Sequence, residues 1–234
     1  MENMKKDINY NKIALLLKIG ILGAFVILAG DMLMGWGVKD LSKAGLEAQL
    51  SPSLAISDTR MILAAVFGFS GVPLAVVGHY GIYKLIKPYS EKYARLYEIG
   101  NLGFLAFGGA GVHVSSVAAA FFYKYMNEAS PNTAVESTVK FALYFLMPLY
   151  VVLLTGWFIM VVAHIRAVTK GLSPLPRWCW VFSMPIGTLL FSIIGICGNY
   201  EIVNALMVGA FSLGNIWSLL GHLIMLNKVK KDRV

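Results

Sequence analysis

The chain has 234 residues, 58% of them hydrophobic and 14% charged, with a formal net charge of +8 and a mean hydropathy of +0.69. That much apolar surface exceeds what a soluble domain of this length can bury, and it calls for lipid as a solvent. The basic residues are scattered between apolar runs and form no single groove or face, which excludes a nucleic-acid surface and points to membrane topology.

A helical crossing of roughly 30 Å of hydrocarbon takes about 20 mainly apolar residues. In chain order six stretches meet that length: residues 13–36, 61–85, 97–123, 141–165, 178–197 and 202–226. They lack period-two alternation, and only helices satisfy every backbone group within a lipid-facing segment. The expected fold is therefore all-α, a single polytopic bundle of about six spans. The polar start, residues 1–11, precedes an apolar run that is longer than a signal-peptide core and has no small-residue cleavage site. The first stretch is thus expected to be an uncleaved span.

The joints carry turn signals: Pro52 and several charges in 41–58, Pro88 in 87–95, Pro131 and Asn132 in 126–137, and Gly171, Pro174 and Pro176 in 170–177. Gly198, Asn199 and Tyr200 make a short turn that predicts an antiparallel hairpin of the last two spans. Fourteen of the 20 basic residues precede span one, follow spans two and four, or follow span six, against five on the other side, with Lys18 inside span one. This bias puts both termini in the cytoplasm. Cys179 and Cys197 lie about 27 Å apart along a helix, too far for a disulfide.

Polar residues within the spans are the candidates for function. Glu201, Asn204, Val208, Phe211, Asn215, Ser218 and His222 recur at intervals of three and four, so a straight span six carries them on one face, turned inward. His113, near the midplane of span three, shares a line of small residues with Gly109 and Ser116. Asp31 is the one carboxylate well inside an apolar run, and Arg60, at the start of span two, is its nearest basic partner by depth. His79, His164 and His222 fall toward the cytoplasmic interface, where histidines commonly serve as amphipathic anchors; a metal site there is the lesser reading. Pro73, Pro148 and Pro185 each sit inside a span and are expected to kink it.

Asp31, Arg60, His113, Ser116, Glu201, Asn204, Asn215 and His222 therefore form the expected ligand-binding set, and Asp31, His113 and Asn215 are expected to meet in one cavity reached from the outer side. No phosphate loop, zinc-protease helix, nucleophile elbow or dinucleotide fingerprint occurs, and no cofactor is indicated. The expected partners are the bilayer and a small or lipid-like ligand, with no nucleic acid; self-association is permitted by the sequence but not specified by it.

The segments Gly30-Asp31-Met32-Leu33-Met34-Gly35-Trp36, Ser70-Gly71-Val72-Pro73, Gly81-Ile82-Tyr83 through Tyr97, Gly108-Gly109-Ala110-Gly111-Val112-His113-Val114 and Arg177-Trp178-Cys179-Trp180 resemble a bacterial family of six-helix membrane proteins described only as a domain of unknown function. The resemblance implies a multi-pass protein of a bacterial cytoplasmic membrane and supplies no substrate or catalytic residue. Binding or transport of a small or lipid-like molecule is the leading expectation. The alternatives are an intramembrane enzyme using Asp31 and His113 as acid and base on an apolar substrate, and a small accessory or assembly subunit.

Overall fold

The computed structural model describes residues 8–231, and among these the regular structure is entirely helical. Asn9 opens α1 (Tyr10–Gly35), its Oδ1 accepting from the Lys12 N–H at 2.9 Å. At the other end of α1 the Arg60 guanidinium donates to the Leu33 and Trp36 carbonyls at 2.6 and 2.9 Å. It thereby satisfies acceptors that a helix end leaves without partners. The expected Asp31–Arg60 pair is absent: the cation is drawn to the negative end of α1, and Asp31 has closer partners.

A short α2 (Gly45–Leu50) and a 3₁₀ turn (Ser51–Ala55) lead to α3 (Asp58–Ile86), capped by the Ser57 hydroxyl and containing Pro73 in its interior. α1 and α3 form the main seam of the bundle. α3 turns Ala64, Gly68, Gly71, Ala75 and Gly78 toward α1 at alternating intervals of four and three, and each is buried. Helices in lipid associate through this kind of small-residue packing. The approach is so close that a methyl group built on Gly20 would stand 2.3 Å from the Gly78 Cα.

α4 (Glu91–Phe107) runs through a π turn (Gly108–His113) into α5 (Val114–Ala129), and α6 (Ala134–Phe141) runs through a second π segment (Ala142–Leu146) into α7 (Met147–Thr169). Pro148 closely follows the π segment within the continuous helical stretch Pro131–Thr169, so the ladder bond that its missing N–H removes falls where the α-helical pattern is already interrupted. Four stretches are long and apolar enough to cross a membrane: Tyr10–Gly35, Asp58–Ile86, Glu91–Ala129 and Pro131–Thr169.

Residues 178–197 are not one continuous helix. A 3₁₀ segment (Arg177–Phe182) stops at Ser183, α8 (Met184–Ser192) starts with Pro185 in its first turn, and a second 3₁₀ segment (Ile193–Cys197) ends it. Pro185 has no N–H to give to the preceding turn, so the helix can only begin there. The last stretch is also broken: α9 (Glu201–Val208) and α10 (Ala210–Lys231) meet at Gly209 with a bend of 63° and reach spanning length only as a pair. The turn between α8 and α9 contains Gly198 at φ +114°, a conformation glycine adopts without strain. α8 packs on α10, as the hairpin requires.

The bundle has two distinct ends. At one, Lys230 Nζ donates to Asn11 Oδ1 at 2.7 Å and the Lys170 ammonium lies over the Tyr93 ring. This end gathers the beginning of α1, the α3–α4 and α7–α8 joints and the end of α10, and with them most of the basic residues. At the other, Asn199 bridges to Lys39 through two backbone bonds, and Lys124 donates to the Ile56 carbonyl and to Asp58, each at 3.0 Å. Between the ends, large apolar side chains such as Leu22, Phe69, Phe158 and Ile224 cover the outside, each more than half exposed. An exterior of that kind suits lipid.

Candidate functional site

A cavity of about 570 Å³ lies inside the bundle, walled by α1, α3, the π turn between α4 and α5, α7, and the α9–α10 pair. Its mouth is framed by Lys39, Gln49 and Ser53, at the end away from the termini, and its apolar wall includes Ile27, Val72, Phe104 and Leu153. The backbones of α7 and α9–α10 stand apart here, and the Trp157 and Phe211 rings, with centroids 5.2 Å apart, close the gap between them.

Of the eight residues expected at a site, Asp31, His113, Ser116, Asn204 and Asn215 line this cavity. The other three do not. Arg60 caps α1, Glu201 accepts from the Trp36 indole N–H at 2.9 Å near the surface, and His222 is buried farther along α10. On the stripe from Glu201 to His222 the division follows position along the helices: the middle members Asn204, Val208, Phe211 and Asn215, on both sides of Gly209, line the cavity, and the two extremes lie beyond it.

Asp31 and His113 form the polar centre. His113 Nδ1 is 3.3 Å from Asp31 Oδ1, and both side chains are mostly buried. His113 Nε2–H donates to the Ala64 carbonyl at 3.0 Å, and the Ser212 hydroxyl donates to Asp31 Oδ2 at 2.5 Å. A neutral imidazole has one N–H, and the Ala64 carbonyl can only accept it. His113 Nδ1 can therefore face the carboxyl group only with a second proton between them, carried on the imidazole or on Asp31. In either form the pair is neutral overall and holds one transferable proton. The imidazole fits because position 68 is glycine: a Cβ there would fall 1.9 Å from His113 Cδ2.

The arrangement is not a serine nucleophile relay. Ser212 bonds the carboxylate and not the imidazole, and the far nitrogen of His113 is occupied by a backbone carbonyl, so the imidazole does not contact the hydroxyl.

Asn215 joins the cavity to a second polar cluster. Its Oδ1 accepts from His79 Nε2–H at 2.6 Å, and His79 Nδ1 in turn accepts from the Tyr97 hydroxyl at 2.8 Å. Farther along, His164 Nε2–H donates to His222 Nε2 at 2.9 Å, while His222 Nδ1–H donates to the Ser218 carbonyl at 2.7 Å. The three histidines are at most 4% exposed, so they are core groups and not interfacial anchors. Their nitrogens are directed at one another and at neighbouring oxygens, and among the described residues no group of three or more His, Cys, Asp or Glu side chains is disposed to hold a metal.

Sequence patterning overlooked Ser212 and Lys39, and it named His79 as an anchor near the interface and not as a partner of Asn215. Ser212 stands three residues before Asn215, one turn away on the same helix, and that spacing was the available signal. It is hidden when α9 and α10 are read as one straight helix.

A family model described as a family of unknown function, DUF6796, matches residues 3–229. No curated protein and no solved structure is matched. The matched residues include every wall of the cavity and all but the last two residues of α10, and the chain therefore belongs to the DUF6796 family, whose function is unknown.

Proposed function

We propose that this protein is a six-span membrane protein of a bacterial cytoplasmic membrane, with both termini cytoplasmic, that binds a small or lipid-like molecule in the cavity around Asp31 and His113. One observation carries the reading: a space of about 570 Å³ that brings together polar side chains from α1, the π turn and α5, α9 and α10, on mainly apolar walls. Volumes of about 300–1,000 Å³ with few polar groups on apolar walls are typical of ligand sites. α8 with its flanking 3₁₀ turns serves as a short, broken fifth span, and α9–α10 as a bent sixth. The basic end of the bundle supports the orientation.

Binding is testable with Nile red, a neutral polarity-sensitive dye, and the purified protein in phosphatidylcholine nanodiscs. One saturable site per chain is expected, and Leu154→Trp, which fills the cavity from α7, should remove it while helical content is retained. Absence of a saturable site, or an unchanged site in Leu154→Trp, would overturn the reading.

The orientation has its own test. In a Cys197→Ser background, single cysteines at Ser53 and Asn132 should react with a membrane-impermeant maleimide in intact cells. Reaction only after permeabilisation would invert the bundle.

A second reading is favoured by the proton held between Asp31 and His113: an intramembrane enzyme that uses the pair as acid and base. It shares the cavity and differs in turnover.

A further inference from the structure

The polar atoms of the cavity select among ligand chemistries, and this selection rests on the binding reading above. Asn215 is 2% exposed and lines the cavity. Because His79 occupies its Oδ1, the amide is held with Nδ2 directed away from His79, and no protein acceptor takes the Nδ2 hydrogens. Nδ2 is open to the cavity rather than sealed within the protein, and the cavity is where an acceptor can be supplied.

The opposite polarity stands close by. Ser212 and Asn215 are one turn apart on α10, with Cβ atoms about 5–6 Å from each other, and the Ser212 hydroxyl is bonded to Asp31. The Asp31 carboxyl and the Asn215 amide are thus neighbours. The hydrogens around Asp31 are already committed: Ser212 donates to it, His113 donates to the Ala64 carbonyl and shares the remaining proton with it, and Ser116 donates to the Val112 carbonyl at 2.8 Å. Asn204 directs its amide hydrogens at the Gly37 carbonyl and at Asn199 Oδ1. What Asp31 offers a ligand is lone pairs, and what Asn215 offers is N–H.

Beside Asp31 and Asn215 a carboxylate or phosphate would have one amide to bond and would meet the lone pairs of Asp31, and the cation among the lining residues, Lys39, stands at the mouth. An ammonium would set its N–H against that of Asn215 and stand beside a pair that carries no net negative charge. A hydroxyl suits both kinds of group, since it can donate to a lone pair of Asp31 and accept from the Asn215 amide. The apolar wall of Ile27, Val72, Phe104 and Leu153 suits an apolar tail. We infer that the cavity recognises the hydroxyl group of a neutral single-chain amphiphile, a long-chain alcohol or a monoacylglycerol, through Asp31 and Asn215.

A set of probes sharing one chain length separates the head groups. 1-Dodecanol, 1-monolaurin, laurate and dodecylamine are each titrated against Nile red bound to the protein in phosphatidylcholine nanodiscs. Either hydroxyl compound should displace the dye at least about tenfold more tightly than laurate or dodecylamine, and whichever of the two binds tighter distinguishes the alcohol from the glyceride. Asn215→Leu should weaken that binding about tenfold, the size expected for one buried hydrogen bond. If that variant does not fold, the head-group series on the unaltered protein decides alone. Laurate or dodecylamine binding as tightly as the alcohols overturns the inference, as does alcohol binding that is indifferent to Asn215→Leu. A saturable dye site that none of the four compounds displaces overturns this inference and leaves the cavity reading standing, whereas the absence of the dye site removes both.

Discussion

Replacing Asp31 by leucine should lower stability by about 2–4 kcal/mol, while replacing it by asparagine should change stability by less than about 1 kcal/mol. Leucine leaves the Ser212 hydroxyl and His113 Nδ1 without partners inside the bundle, and each orphaned buried group costs about 1–3 kcal/mol. Asparagine orphans neither: its carbonyl oxygen accepts from Ser212 and its amide N–H donates to a neutral His113. What asparagine removes is the transferable proton and one of the lone pairs facing the cavity. Asp31→Asn should therefore fold normally and lose ligand binding, or turnover if the pair works as acid and base. Thermal unfolding in detergent, followed by helical circular dichroism, checks the stability contrast. A large loss of stability in both variants would reduce the pair to structural glue.

The second large effect is expected at the α1–α3 seam. Gly20→Val and Gly78→Val should each abolish or sharply reduce accumulation of folded protein. A Cβ on Gly20 would lie 2.3 Å from the Gly78 Cα, and a Cβ on Gly78 would lie 2.6 Å from the Gly20 Cα. Backbone cannot swing aside as a side chain can, so the helices must separate along a seam that also fixes Asp31 on one side and Gly68 on the other. Overpacking typically costs about 1–3 kcal/mol, and both variants should reach or exceed the top of that range. Gly103→Ala provides the contrast: its nearest neighbour, the Gly156 Cα, would be 3.6 Å away, an ordinary contact. It should be neutral or slightly stabilising, because alanine favours the helix by up to about 1 kcal/mol. Yields of monodisperse protein after size-exclusion chromatography decide between these outcomes, and wild-type yield of Gly20→Val would show that the seam can open.

The long, uniformly apolar runs of α1 and α3 and the positions of their ends were legible in the sequence, since length and hydropathy report directly on hydrocarbon thickness. So was the convergence of Asp31, His113 and Asn215, because a polar group inside such a run has one inexpensive direction to face. The partners of those residues were not legible. Depth along an ideal helix suggested Arg60 for Asp31, but a guanidinium at a helix end is captured by the nearby carbonyls, and depth does not report that competition. The cluster of His79, Tyr97, His164 and His222 was misread for a related reason: closeness to an interface was estimated from position in the run, whereas burial depends on which neighbours cover the side chain. Pro185 announced a kink in the fifth stretch but not the full stop at Ser183, and the interruption at Gly209 escaped for want of charge. Both lie in apolar sequence, where hydropathy is continuous although the hydrogen-bond ladder is not.

The π turn at Gly108–His113 admits one residue beyond the α-helical count, and residues on its two sides consequently keep different phase. Buried positions advance by three or four through Tyr97, Asn101, Phe104 and Gly108 to Val112, then skip five to Val117 before resuming at Ala120 and Tyr123. The span thus behaves like a shaft with a fixed twist in its middle, one half indexed to the histidine cluster and the other to the loop that roofs the cavity. An inserted or deleted residue in this turn acts as a frameshift of direction: with about 100° per residue, it would rotate every side chain of the outer half away from its counterpart while leaving length and hydropathy almost untouched. Among natural variants of this chain, changes of length in the turn should accordingly be far rarer than changes of residue type.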